Sequence, residues 1–449
     1  MKPRNTLLLV FAVLAFLVCV VVFERKYPTT REAAEQKLHV VDFDPAKINK
    51  IVVINNEERI ELAKRDGLWF LQAPIKDQAD SKLAEALMDS LLNLRPSAVL
   101  NENKDEVDIK PFGVEKSSVR LQLFGEDAPP EMLFGKNSPI EGAIYVRLAN
   151  SKRIYVIPAD LKNLVSKKTD DYRDRTLMDL KPAQASKMVL RSTEGEIELQ
   201  KENEHWQINK PIRARANDSL INALVVQITK LQAKGFVGAK ELARLSEPFG
   251  TVSLTNETSD KATSLSVIEA PDLTDRIYAK LSTRDSVFIL DKVVAGLFKA
   301  RPNDLRDHQL LRINFDMVDR INIQPAARPK IVLARKQENW TIDGQPANGT
   351  KVKALIDHLL SQKVVSFVTD TGSNLQKYGL EAPLVKITFS AYSSENTPET
   401  KAGEKQIACL LLGRIENGEI FAKLEEEPFV VSIDKAILDR LPDASWATK

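Results

Sequence analysis

The sequence predicts an α+β protein: three tandem repeats of mainly antiparallel sheet plus helices, set behind one N-terminal transmembrane helix. Three observations carry this. An uncharged apolar run lies near the N-terminus, an apolar pattern around a tryptophan occurs three times, and apolar residues alternate between turn signals within each copy.

Composition narrows the function classes. Of 449 residues, 43% are hydrophobic and 28% charged, the balance of a core-forming chain and not of a disordered one. Lys plus Arg is 64 and Asp plus Glu is 62, and a net charge of +2 leaves no electrostatic footprint for nucleic acid. Two cysteines, Cys19 and Cys409, and four histidines rule against a disulfide framework, a zinc ribbon or a His-rich centre.

Residues 1–5 form a short tail carrying Lys2 and Arg4. Residues 6–23, TLLLVFAVLAFLVCVVVF, contain no charge, Pro or Gly. As a helix this run measures about 27 Å, close to the hydrocarbon thickness of a bilayer. A cleaved signal peptide is the alternative. The run exceeds the usual apolar core of one, and no small-x-small site follows, so it reads as an uncleaved anchor. The basic N-terminus before the run is a signal-anchor layout, which leaves the bulk of the chain outside the cytoplasm. Lys and Arg counting alone does not favour that orientation, since Arg25, Lys26, Arg31 and Lys37 lie beyond the run. Residues 24–40 read as a polar tether.

The repeats follow at 41–177, 178–312 and 313–449. Ile60, Leu62, Trp69 and Leu71 reappear as Ile197, Leu199, Trp206 and Ile208, and again as Ile331, Leu333, Trp340 and Ile342. The spacing is about 135 residues, large enough for each copy to bury its own core. Ala79, Ala216 and Ala347 keep step, as do Phe112-Gly113, Phe249-Gly250 and Tyr378-Gly379. Ile144–Leu148, Ile277–Leu281 and Ile420–Leu424 match in residue type, and Asp160, Asp291 and Asp434 each open a short apolar helix.

Within a copy, Ile60 and Leu62 alternate with charged residues, the period of a half-buried strand. Asp66-Gly67 signals a hairpin. Leu83, Leu87, Leu91 and Leu94 form a helical stripe, repeated at Leu220, Leu224, Ile228 and Leu231, with Asp80 and Asp218 as helix starts. Four further strand-like runs and the short helix complete the unit, giving two sheet-helix halves. Tyr172–Leu177 (YRDRTL) and Leu305–Leu310 (LRDHQL) occupy the same place at the two joints. Their Arg-Asp pair reads either as a repeated joint contact or as a solvated junction. Tyr392–Gln406 is a polar insertion, an expected exposed loop.

Trp69, Trp206 and Trp340 are the expected structural anchors of the repeats, each fixed beside Ile-x-Leu in a core. No catalytic, cofactor-binding or metal-binding residue emerges. His39, His205, His308 and His358 do not recur between copies. Asp170-Asp171, Glu57-Glu58 and Glu425-Glu426-Glu427 are acidic pairs or runs confined to one copy. Cys409 lies in an apolar run and reads as a buried hydrophobe. No phosphate loop, zinc motif or nucleophile elbow is present.

These residues resemble the bacterial envelope proteins classed as "domain of unknown function 4340". The resemblance rests on Trp69 with Ala79-Asp80, Phe112-Gly113-Val114, Tyr378-Gly379-Leu380, Tyr172-Arg173-Asp174 and the apolar anchor, and it covers most of the chain after Val40. Copy three departs at Asn348-Gly349, where the Asp after Ala347 is missing. The family has no established catalytic residues. The resemblance implies companionship with gliding-motility-type ABC transporters. The expectation is therefore a non-enzymatic scaffold or binding component of an envelope complex. It is single-pass in the bacterial cytoplasmic membrane, with its bulk periplasmic, an envelope protein partner, and no cofactor or nucleic acid. The alternatives are an envelope hydrolase with a site between repeats, or a small-ligand or glycan-binding module.

Overall fold

Alternating apolar residues set the first hairpin. A computed structural model of the chain describes residues 39–56, 58–100, 108–337, 339–393, 403–442 and 446. The expected anchor at 6–23, nearly all of the tether, and most of the Tyr392–Gln406 insertion lie outside these residues. Among the described residues no helix is long and apolar enough to cross a membrane.

Strand β1 (Ile48–Asn55) pairs antiparallel with β2 (Glu58–Arg65), which sets Ile51 opposite Leu62 and Val53 opposite Ile60. All four are fully buried, and each such cross-strand pair contributes a fraction of a kcal/mol beyond its burial. At the next turn Asp66 and Gly67 take φ of 49° and 83°. Two successive positive φ values give the twist that returns a strand in register. The chain comes back as β3 (Leu68–Ala73), with Trp69 and Leu71 buried, followed by the short β4 (Asp77–Gln78).

Helix α1 (Ser81–Leu92) starts at Asp80, whose carboxylate accepts from the Lys82 and Leu83 amides. This satisfies donors that have no partner within the helix. α1 buries Ala84, Leu87, Met88 and Leu91. Then come β5 (Ala98–Leu100), β6 (Val119–Gly125), β7 (Met132–Asn137), β8 (Ala143–Leu148), β9 (Ile154–Pro158) and α2 (Asp160–Val165).

The nine strands form one sheet in the order β4-β3-β2-β1-β6-β7-β8-β9-β5. The two expected halves are thus two meanders fused at their first strands, β1 against β6. The return of β5 to pair with β9 ties the first half to the second. The same order recurs in the second sheet, around Ala185–Ser192 and Gly250–Asn256, and in the third, around Arg320–Pro325 and Val385–Ser393. Ile144–Leu148, Ile277–Leu281 and Ile420–Leu424 lie in the eighth strand of their respective sheets.

Three landmarks differ from the sequence reading. Gly113 and Gly379 end one-turn helices at φ 70° and 68°, but Gly250 lies in a strand, paired with Ser192. The reason is visible one strand away. Gly135 and Gly413 leave room for the Phe112 and Tyr378 carbonyls, which would lie 2.3 and 2.2 Å from an added Cβ. At the matching place in the second sheet stands buried Ile268, which excludes such a loop. Second, Asp218 is the first residue of its helix and does not cap it. Asn217 caps by accepting from the Leu220 amide, and Asn348 does the same for Lys351. Copy three therefore keeps its cap without an Asp. Third, the core face of the second helix is Ile221, Val225 and Ile228, whereas Leu220 and Leu224 are only half-buried.

By compactness the chain divides into two units. One gathers Met1–Asp179, Lys230–Pro248 and Leu265–Lys292, and the other Leu180–Thr229, Phe249–Ser264 and Val293–Lys449. The division falls inside the second repeat and at neither joint.

Candidate functional site

The three tryptophans hold equivalent backbone positions. The Trp69, Trp206 and Trp340 carbonyls accept from the amides of Ala79, Ala216 and Ala347 at 3.0, 3.0 and 2.9 Å. Trp69 and Trp206 are buried to 0% and 2% exposure, while Trp340 is half-buried against the third core. The Trp206 amide donates to Asp218, and its indole Nε1 donates to Asn222 Oδ1 at 2.9 Å. The Trp69 amide donates to Ser81 at the matching helix position, but its indole nitrogen is buried without a partner among the described residues.

The joints carry the densest polar chemistry. In the first, Arg173 lies flat on Phe236, its guanidinium carbon 3.4 Å from the ring centroid. Its nitrogens donate to Asp77 at 2.8 Å, to Asp170 at 3.0 Å and to the Ser286 hydroxyl at 2.8 Å. Arg284, stacked near Phe288, donates to Asp77 and to the Asp174 and Thr176 carbonyls. Asp77 is therefore held by two guanidiniums and by Ser286. Burial opposes its charge. The charge of Arg284 and the hydrogen bonds from Arg284, Arg173 and Ser286 outweigh that, and its carboxyl sits below the ordinary value.

The second joint reuses the arginine and changes the acid. Arg306, 1% exposed, stacks on Phe367 at 3.8 Å and Phe429 at 4.6 Å and donates to Asp370 at 2.5 Å. Ala214 stands where Asp77 would, so no carboxylate approaches from that side. Arg215 instead lies 3.9 Å from Glu427. Of the two readings of YRDRTL and LRDHQL, the structure has the repeated contact. The arginine is buried on a phenylalanine at both joints, while Asp174 and Asp307 accept from amides two residues on, Thr176 and Gln309. The stacking partners Phe236 and Phe367 were missed in sequence, although both follow the first helix of their repeat at a similar interval. Each joint lies wholly within one compact unit.

The residues weighed for chemistry stay dispersed. Burial pushes the Cys409 thiol up to about 11, so it is protonated at neutral pH. His39 and His308 bond the Leu92 and Val364 carbonyls, His205 bonds Asp218, and His358 contacts Gln362. Glu58 accepts from Thr169, Asp171 pairs with Arg175, and Glu425 pairs with Lys386. No group of three or more metal-ligating side chains converges among the described residues.

No curated protein matches the chain. A solved chain from Eubacterium rectale ATCC 33656, provisionally assigned as a DNA polymerase III beta subunit, aligns at 8% identity over 89% of this chain and 94% of that chain. Its TM-score is 0.13, and so weak a likeness carries no argument. The model of the family described as Domain of unknown function (DUF4340) matches three segments, residues 69–248, 206–348 and 340–449. Together these segments cover residues 69–449, both arginine joints included, and the chain belongs to the DUF4340 family.

Proposed function

We propose that the chain is a non-enzymatic, membrane-anchored extracytoplasmic repeat protein that binds or braces a partner in a bacterial envelope complex, in the company of an ABC transporter. The observation that carries this reading is the pair of packed joints. A junction closed by a buried, stacked arginine resists hinging at that point, as a brace needs and a string of independent modules does not. Such stacks are worth about 0.5–2 kcal/mol each before their ion pairs are counted. Repeated modules also offer several weak contacts whose linkage raises avidity. The uncharged run at 6–23 supports the anchor, and the signal-anchor layout of a short basic N-terminus before it, rather than Lys and Arg counting, supports the orientation.

Crosslinking of the full chain in native membranes, followed by affinity capture and mass spectrometry, tests the reading. An integral-membrane transporter subunit should be recovered in stoichiometric yield; recovery of the chain alone overturns it. Extraction at alkaline pH and protease access in spheroplasts test the anchor. The chain should stay in the membrane fraction, with its repeats digested from outside.

A further inference from the structure

The second repeat leaves open a space that the first repeat fills with its own side chain. In the first repeat the Tyr172 carbonyl accepts from Asp80 at the start of α1 (2.8 Å), and its hydroxyl donates to the Leu164 carbonyl in α2 (2.9 Å). Its ring is buried in the same core as Leu87, itself 1% exposed, with Leu83 and Leu164 packed alongside. In the third repeat the matching amide, Asn348, donates to the carbonyl of another aromatic residue, Trp446, at 3.0 Å. In the second, Asn217 donates to Leu305 at 2.9 Å, so an aliphatic residue stands at the aromatic position.

A groove of about 400 Å³ results, walled by Leu220, Leu224, Val293, Leu297, Ala300 and Leu305. Leu224, the equivalent of buried Leu87, is only half-buried. Two further differences point the same way. The strand pairings match Val156 with Ile289, so Asp291 corresponds to Pro158 and not, as the sequence suggested, to Asp160. Where the first repeat has Asp160 and Asn163 in α2, the second has Val293, 76% exposed, and Gly296. Exposed apolar residues around a concave apolar wall mark a binding site. The mouth carries both signs: the Lys299 ammonium, which can meet an anion, and the Asp304 carboxylate, whose bond from the Arg301 amide at 2.9 Å leaves its charge in place.

We infer that this groove receives a tyrosine side chain of a partner protein, presented beside an acidic residue. The ring lies against Leu220, Leu224 and Leu297, and the hydroxyl donates to the Leu297 carbonyl as that of Tyr172 does to Leu164. The carboxylate meets Lys299. The inference rests on reading the chain as a partner-binding protein, and its test uses purified components, so that its outcome is separate from the membrane capture above.

The full chain in lipid nanodiscs, with labelled leucine methyls, is titrated with N-acetyl-tyrosyl-glutamate amide, with the seryl analogue, and with octanoate. The tyrosyl peptide should shift the Leu220, Leu224 and Leu297 methyls at millimolar concentration. Leu305→Tyr, which fills the groove from within, and Val293→Asp, at a solvent-facing position where folding is not at stake, should each weaken this by about tenfold or more. The inference is overturned if the seryl peptide acts equally, if octanoate alone binds, if the wild-type chain shows no shift, or if both variants bind as it does.

Discussion

Asp77 and Arg284 stand 207 residues apart in the chain, yet Arg284 donates to one Asp77 oxygen from both Nη2, at 2.8 Å, and Nε, at 3.1 Å. Both side chains are nearly closed to solvent, at 3% and 8% exposure. Arg173 takes the other oxygen at 2.8 Å. One carboxylate thus bridges two buried cations supplied by different repeats, with Asp170 on Arg173 and Asp174 4.0 Å from Arg284 supplying further negative charge. The net gain of such a cluster over an apolar core is small, but removing one member strands the others.

Asp77→Asn should therefore destabilise the first joint by about 3–5 kcal/mol, the cost of leaving buried charge uncompensated. Hydrogen exchange of the Asp80 and Asp174 amides, which bond the Tyr172 and Gln78 carbonyls at the joint, reads this directly. Unchanged protection would mean that the arginines find other partners at no cost.

The same cluster gives a pH dependence whose sign is fixed. The Asp77 carboxyl is lowered in the folded chain, so its contribution is complete above the ordinary carboxylate value of about 3.9 and is lost as pH falls through the lower folded value. Acid should loosen joint protection in wild type below about pH 4, and the Asp77→Asn chain should lack that step.

The indoles of Trp69 and Trp206 differ by one bond. Asn222 satisfies Trp206, whereas exposed Glu85 occupies the matching turn of α1 and the Trp69 nitrogen is buried unpaired. Glu85→Asn should supply the acceptor and stabilise the first repeat by about 1 kcal/mol, less a few tenths for the poorer helix propensity of Asn. Urea denaturation followed by Trp fluorescence measures it; a loss of stability would count against the equivalence of the two sites.

Gly135 and Gly413 predict a paired effect. Alanine at either meets a loop carbonyl at 2.3 or 2.2 Å, closer than Cβ atoms tolerate. Each substitution should cost about 1–3 kcal/mol through forced backbone movement, and Gly67→Ala, with open space around it, should cost only its φ strain. Thermal melting of the three single variants ranks them.

Most strands were legible because their signals are local. Alternation around Ile60 and Leu62, the Asp66-Gly67 turn and the α1 stripe each concern residues within a turn or a strand of one another. Repetition did the rest, since a pattern seen three times needs little strength in any single copy. The second helix shows the limit. Its Leu220 and Leu224 look like a core stripe, and only the residue opposite, Leu305 in place of an aromatic, decides that they border a groove.

The sequence by itself determined the tandem organisation, the antiparallel strands, the helix positions and the recurring tryptophan on the third strand of each repeat, because periodicity and turn chemistry act over short stretches of chain. Only the tertiary structure decided that the two halves of a repeat share one sheet, that Arg173 and Arg306 are buried on Phe236 and Phe367, and that Leu220, Leu224 and Leu305 of the second repeat border a groove. Those outcomes depend on side chains far apart in sequence competing for the same space and the same charge, and no local pattern records which of them meet.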